Sequence, residues 1–284
     1  MILVTGAAGK TGRAVMSALA RKKQPVRALV HREDQVPLVE SLGATDVIVG
    51  DMRSNHAVER ALKGVESVYH ICPNVSPVEF EVGRSVIAAA VSAKVGHFVF
   101  HSVLHPQIES MPHHWMKMRV EEALLGSGLK FSILQPAAYM QNMQGQLSDI
   151  LERGIYSVPY SVNAPLSLVD LEDVAKAAAN VLTTPGHLGA TYELAGPEIL
   201  TPNKMAEILS RHLNRVVRAA QTPVETWRQQ AQKAGMGVYQ LETLQKMFAY
   251  YDRNGLWGNP LTLKTLLGRQ PTSFSEYVKR TVQA

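Results

Sequence analysis

The residues of this chain with the plainest chemical purpose stand at its start. Gly6, Gly9 and Gly12 recur at three-residue intervals in Val4-Thr5-Gly6-Ala7-Ala8-Gly9-Lys10-Thr11-Gly12-Arg13. A diphosphate must approach the backbone more closely than any Cβ allows. Glycines between a strand and a helix meet that demand: Gly6 permits the tight turn, Gly9 the close approach and Gly12 the packing of helix on strand, so that free N–H groups at the helix start face the phosphates. Ala8, Lys10 and Thr11 belong to the same loop and are expected to touch the ligand with it. Dinucleotide binding is the first expectation, because strand, glycine turn and helix follow in that order.

Further along, polar residues close successive hydrophobic runs. The second run, 25–30, ends in His31-Arg32-Glu33-Asp34. An acid at that end holds the 2′-hydroxyl of NAD, whereas a base accommodates the 2′-phosphate of NADP. His31 and Arg32 come first, so NADPH is expected in preference to NADH. Asp51, closing the third run, could accept from the adenine amino group with Met52 against the ring, or could cap the helix that starts near Ser54. Ile71, Cys72 and Pro73 close the fourth run and Pro136 the sixth. The carboxyl edge of an open parallel sheet is where ligands sit, which puts all four beside the cofactor. Cys72 has no base next to it in sequence and reads as a small buried residue rather than a nucleophile.

The elements that must position these residues follow from hydrophobic periodicity. Strands are expected at 1–4, 25–30, 46–51, 67–71, 97–101 and 130–134, alternating with helices at 11–21, 36–41, from 54, at 77–94 and at 112–125. Beyond them come an amphipathic helix at 140–153, strands at 155–158, 191–194 and 216–220, helices at 171–182 and 203–213, a mostly helical stretch at 222–253 and a last helix at 273–282. The expected fold is α/β: a Rossmann-type, doubly wound parallel sheet with a smaller, mostly helical C-terminal substrate lobe. The division is expected as an NAD(P)-binding domain over 1–153 and a lobe over 154–284, with some of the later elements returning to the Rossmann core.

Bulk properties narrow the partners. The formal charge is +5 and the pI about 9.3, but Lys and Arg are scattered, so no nucleic-acid partner is expected. A single cysteine excludes an intramolecular disulfide and a cysteine zinc site, fits a reducing compartment and leaves no metal expected. The apolar runs are too short to span a bilayer, and the first residues already belong to the glycine-loop strand. A cytoplasmic protein without signal peptide or membrane contact is expected; a homodimer stays open.

Taken in order, the motifs resemble the atypical short-chain dehydrogenase/reductase superfamily, and within it the NmrA-like proteins. The resemblance rests on Thr5 to Gly12, on the basic end of 26–30, on Gly50-Asp51, and on Leu134-Gln135-Pro136 followed by Tyr139 and Asn142. It continues through Asp170-Leu171-Glu172-Asp173-Val174-Ala175 to Leu267-Gly268-Arg269-Gln270-Pro271-Thr272-Ser273-Phe274. It implies a Rossmann domain that binds NADPH and a small substrate lobe. Similar members reduce quinones, triphenylmethane dyes or phenylpropanoids, and others bind NADP(H) as regulators.

The wider superfamily uses a serine at the end of strand five and a Tyr-x-x-x-Lys pair on the next helix. Ser102 and Lys117 match the serine and the lysine, but His113 stands where the tyrosine would be. This departure counts against carbonyl–alcohol chemistry of the usual kind. His113 is a candidate acid. Lys117 is a candidate ribose or phosphate contact, or else a partner of Glu121 one turn on. Tyr139, just past strand six, could donate to a substrate oxygen, stack on the nicotinamide or line the lobe. Tyr139 to Met143 with Trp115, Met116, Met118 and Trp227 or Phe248 could wall a flat aromatic acceptor. The expectation is an NADPH-dependent oxidoreductase passing hydride to a small conjugated acceptor such as a quinone or dye. Its alternative is a catalytically silent NADP(H) sensor acting through a protein partner.

Overall fold

Short strands made mostly of apolar residues dictate a sheet covered on both faces. In the computed structural model, which describes residues 1–73 and 75–282, β1 (Ile2–Val4) leads through the glycine loop to α1 (Lys10–Arg21). There follow β2 (Val26–Val30), a 3-10 turn at Glu33–Gln35, α2 (Val36–Ser41), β3 (Ala44–Val49), α3 (Asn55–Leu62) and β4 (Ser67–His70). Then come α4 (Glu79–Ser92), β5 (His97–His101), α5 (Pro112–Leu125), β6 (Phe131–Pro136) and β7 (Ala138–Tyr139). The second half holds α6 (Leu147–Arg153), β8 (Ile155–Val158), β9 (Leu166–Val169), α7 (Leu171–Thr183), β10 (Ala190–Leu194), β11 (Ile199–Leu200) and α8 (Pro202–Leu213). It closes with β12 (Arg218–Gln221), α9 (Val224–Lys233), α10 (Val238–Asn254), α11 (Leu261–Leu267) and α12 (Phe274–Val282).

Seven strands form one parallel sheet in the order β10-β6-β5-β4-β1-β2-β3, so the chain reverses its winding between β1 and β4. One face is covered by α1 and α7, whose Val15, Leu19, Val174 and Ala178 share a core. The other is covered by α3, α4 and α5 through Leu62, Val86 and Leu124. Gly83 lets α4 and α5 approach, since a Cβ there would stand 2.6 Å from Val120 Cγ2. The seventh strand, β10, comes from beyond residue 154 and pairs with β6 from Ala190↔Ser132 to Leu194↔Pro136. The remaining strands make a β11-β9-β7 sheet and a parallel β12-β8 pair at the carboxyl end of the main sheet.

Three expectations differ in detail. The third strand begins at Ala44 and ends at Val49, before Asp51: Gly50 N still donates to Val30 O, and the chain then turns at Asp51, whose carbonyl accepts from Ser54 N. The single helix expected at 140–153 is a 3-10 segment, Met140–Gln146, followed by α6. Its side chains explain the tighter winding: Gln141 bonds Asp170 Oδ1 at 2.7 Å and accepts from Leu171 N, and Gln146 accepts from Ser157 N at 2.8 Å. The stretch at 222–253 breaks into α9 and α10 where Gly235 takes φ +88°. Among the described residues no helix is long and apolar enough to cross a membrane.

Candidate functional site

A cavity of about 910 Å³ opens at the carboxyl ends of β1, β4 and β5, where the winding reverses. Gly6, Ala8, Gly9, Lys10, Thr11 and Gly12 form one wall. Gly6 has φ +59°, and a Cβ on Gly12 would stand 2.7 Å from Ala7 Cα, so both positions demand glycine. Helix α1 starts without a capping side chain and has no acid in its first turn. Its N–H groups and its dipole are therefore free for an anion, and the loop fits a pyrophosphate. Thr5, closing β1, binds this edge together: its Oγ1 accepts from Ile71 N at 2.9 Å and lies 3.0 Å from His70 Nδ1.

His31, Gln35, Asp51, Met52 and Arg53 line the end nearest β2 and β3. Arg32 does not line the cavity. Its guanidinium bonds Asp34 at 2.9 Å in solvent, while Gln35 Oε1 accepts from the N–H groups of His31 and Arg32. Asp51 does not cap α3 as one expectation had it; Ser54 does, accepting from Ala57 N at 3.4 Å. Asp51 instead accepts from Arg53 at 2.6 and 2.8 Å, and the Arg53 hydrogen bonds hold its carboxyl below the usual range. Arg53 was missed because it lies two residues beyond the strand-end position that the usual rule inspects.

Ile71, Cys72 and Pro73 line the middle of the cavity with Ser102, His113, Lys117 and Pro136. Cys72 is buried, with Sγ 3.2 Å from His70 Nε2. Burial pushes the thiol up and His70 down to about 3, so both are neutral and the sulfur is a poor nucleophile. Lys117 pairs with Glu79 Oε1 at 2.5 Å, not with Glu121. Glu121 is occupied: Ser102 donates to it, and Gln135 Nε2 donates to both of its oxygens at 3.0 Å. Burial opposes charge on Lys117, yet the adjoining Glu79 carboxylate holds its ammonium above the ordinary value. His113 and His114 are both buried. Burial, with His114 and then Lys117 adding to it, takes His113 down to about 3, and its Nδ1 has no partner among the described residues. A neutral imidazole of this kind can orient a ligand but holds no spare proton at neutral pH.

Tyr139 occupies the junction of glycine loop, sheet and lobe. Its hydroxyl lies 2.7 Å from His101 Nε2 and 3.2 Å from Thr11 Oγ1, and His101 Nδ1 lies 2.7 Å from the hydroxyl of Tyr69. His101 is the last residue of β5, so a strand-end rule applied one residue before Ser102 would have found it. The outer wall is apolar: Met140, Met143, Tyr160, Leu168, Met247 and Phe248 line it. Trp115, Met116, Met118 and Trp227 do not. On α5 the cavity face carries residues 113, 114 and 117, and Trp227 stacks edge-on behind Phe248 at 4.7 Å.

Fold and site together define a Rossmann-type α/β protein whose cleft crosses the topological switch point and runs under a C-terminal lobe. Residues 1–278 match the NmrA-like family, and the chain belongs to it. It is 29% identical to an NAD(P)H azoreductase of Xenophilus azovorans over 98% of this chain and 97% of that one. A (4-alkanoyl-5-oxo-2,5-dihydrofuran-3-yl)methyl phosphate reductase of Streptomyces griseus is 34% identical, covering 80% and 79%. Among solved structures, the Escherichia coli quinone oxidoreductase QOR2 complexed with NADPH superposes with a TM-score of 0.87 at 25% identity, covering 99% of this chain and all of the other.

Proposed function

We propose that this protein is an NADPH-dependent reductase of small, flat, conjugated acceptors. The observation that carries the reading is one cavity joining a glycine loop fit for a pyrophosphate to a tyrosine hydroxyl and an apolar, methionine-rich wall. Relatives that reduce azo, quinone and oxo-dihydrofuran compounds support it. NADPH, when bound, supplies the hydride. The protein's own work is to hold, orient and protonate. Gly6, Gly9, Gly12 and the start of α1 take the pyrophosphate. His31 and Arg53 face the adenosine ribose, where a 2′-phosphate competes with Asp51 for Arg53. Lys117 contacts the nicotinamide ribose. Met140, Met143 and Phe248 hold the flat acceptor and exclude water, and Tyr139 donates the proton. Conjugated acceptors spread incoming charge, so positioning provides much of the rate.

The test follows the nicotinamide absorbance band with a panel of quinones, azo dyes and enones after titration with NADPH and NADH. Tighter binding of NADPH and acceptor-dependent loss of the band are expected. Tyr139→Phe should lower kcat about 100-fold, the low end for a positioned acid. An unchanged band across the panel, despite tight NADPH binding, overturns the reading and leaves a cofactor-binding regulator.

A further inference from the structure

Four side chains from four elements form one hydrogen-bonded row: Tyr69 of β4, His101 of β5, Tyr139 of β7 and Thr11 of α1. Its inner end is closed. The Tyr69 side chain is fully buried, and His101 Nδ1 at 2.7 Å is the one partner its hydroxyl has among the described residues. A neutral imidazole donates from one ring nitrogen and accepts at the other. Were Nδ1 the donor, the hydroxyl proton of Tyr69 would be buried with nothing to receive it, which is the costly arrangement. With Tyr69 donating to Nδ1, the protons of Tyr69, His101 and Tyr139 each have an acceptor in the row.

We infer that Tyr69 locks His101 in the Nε2–H form, so that His101 donates to the Tyr139 oxygen and leaves the Tyr139 proton directed at Thr11 or at a ligand in the cavity. Tyr139 thereby becomes a one-way donor. When its O–H bond breaks toward the oxyanion of a reduced acceptor, the phenolate left behind keeps the His101 N–H and gains the Thr11 hydroxyl. Solvent at the open side of the cavity returns the proton. The row is not a wire to the interior, since passing the charge inward would end on a buried Tyr69 phenolate. His101 and Tyr69 are positioning residues, and Tyr139 is the catalytic one. The use of the proton rests on the reductase reading; the tautomer does not.

The tautomer is read directly from long-range proton–nitrogen correlation spectra of protein labelled with nitrogen-15 histidine, with His101 assigned by its loss in His101→Gln. Expected is a protonated Nε2 and a bare Nδ1 in the wild type, becoming a mixture of forms in Tyr69→Phe. That variant should also lose about tenfold in kcat with the KM for NADPH unchanged, the scale of one neutral hydrogen bond used in the transition state. His101→Gln, whose amide can still donate to Tyr139, should keep more activity than His101→Leu. A protonated Nδ1 in the wild type, or an unchanged pattern in Tyr69→Phe, overturns the inference whatever the activity. Absent turnover with the expected tautomer overturns the reductase reading instead, and the lock stands.

Discussion

At the scale of single residues, the site is built from charges and protons that burial has forced into pairs. Lys117 and Glu79 are both buried, and Glu79 Oε2 has no hydrogen-bond partner among the described residues. Removing one partner strands the other: Lys117→Met or Glu79→Leu alone should cost about 3–5 kcal/mol, and the double variant should recover much of it. Urea unfolding midpoints of the three variants check this, and equal losses in single and double variants would sink it. Lys117→Met should in addition weaken NADPH binding, whereas Glu79→Leu acts on the cofactor only through the lysine. On the proposed function Tyr139 and His101 behave differently, because their value there lies in the direction of a proton rather than in stability.

The elements that hold the site are fastened at their ends. Asp170 caps α7 by accepting from Glu172 N at 3.0 Å, and the same carboxylate accepts from Gln141 Nε2 at 2.7 Å and Arg280 Nη2 at 2.8 Å. One buried side chain thus ties α7, the 3-10 segment that carries Met140 and Met143, and α12. Asp170→Ala should lose about 3 kcal/mol, a cap plus a buried charge partner. It should also raise the KM for the acceptor more than that for NADPH. A thermal shift confined to the error of the measurement would contradict the first part. Asp173 plays a similar part, accepting from Arg269 and from Thr272 N at 2.6 Å. In the glycine loop, Gly12→Val drives a side chain into Ala7 and should cost about 1–3 kcal/mol together with measurable NADPH affinity by titration calorimetry.

For the whole molecule, acid is the condition that matters. Burial comes first among the causes that depress five histidines: His70, His101 and His113 to about 3, His97 and His114 to about 4. The unfolded chain takes up these protons near pH 6.5 while the folded protein does not. Because the folded values are the lower ones, their contribution is complete above about pH 6.5 and is lost as pH falls toward 4 and 3. Each histidine contributes on the order of 1 kcal/mol per pH unit in that window. Denaturant midpoints followed by circular dichroism should be level above pH 7 and fall steeply below 6; a flat profile to pH 5 would refute the assignment of neutral, buried imidazoles. The sheet is also completed late in the chain, since β10 covers the edge of β6. A fragment ending at residue 153 should therefore be poorly soluble and lack a cooperative thermal transition.

Much of this was legible in the sequence, and for a physical reason. Strand, glycine turn and helix are set by local stereochemistry: Gly6 needs positive φ and Gly12 needs bare backbone whatever surrounds them, so the βα alternation and the loop were readable from residues 1–136. The strand-end rule likewise pointed to His31, Asp51, Cys72 and Ser102 because a parallel sheet presents its carboxyl edge to one side. Which side chains meet across that edge depends on distances that no local pattern encodes. Lys117 had Glu121 one turn away, yet pairs with Glu79, thirty-eight positions earlier. Arg32 turned to Asp34, Arg53 entered the cavity, and His101 joined Tyr69 to Tyr139 only because β4, β5 and β7 come together over α1. Backbone conformation is a property of neighbours in sequence, but the partner of a buried charge or proton is chosen by packing, and packing is decided by the whole chain at once.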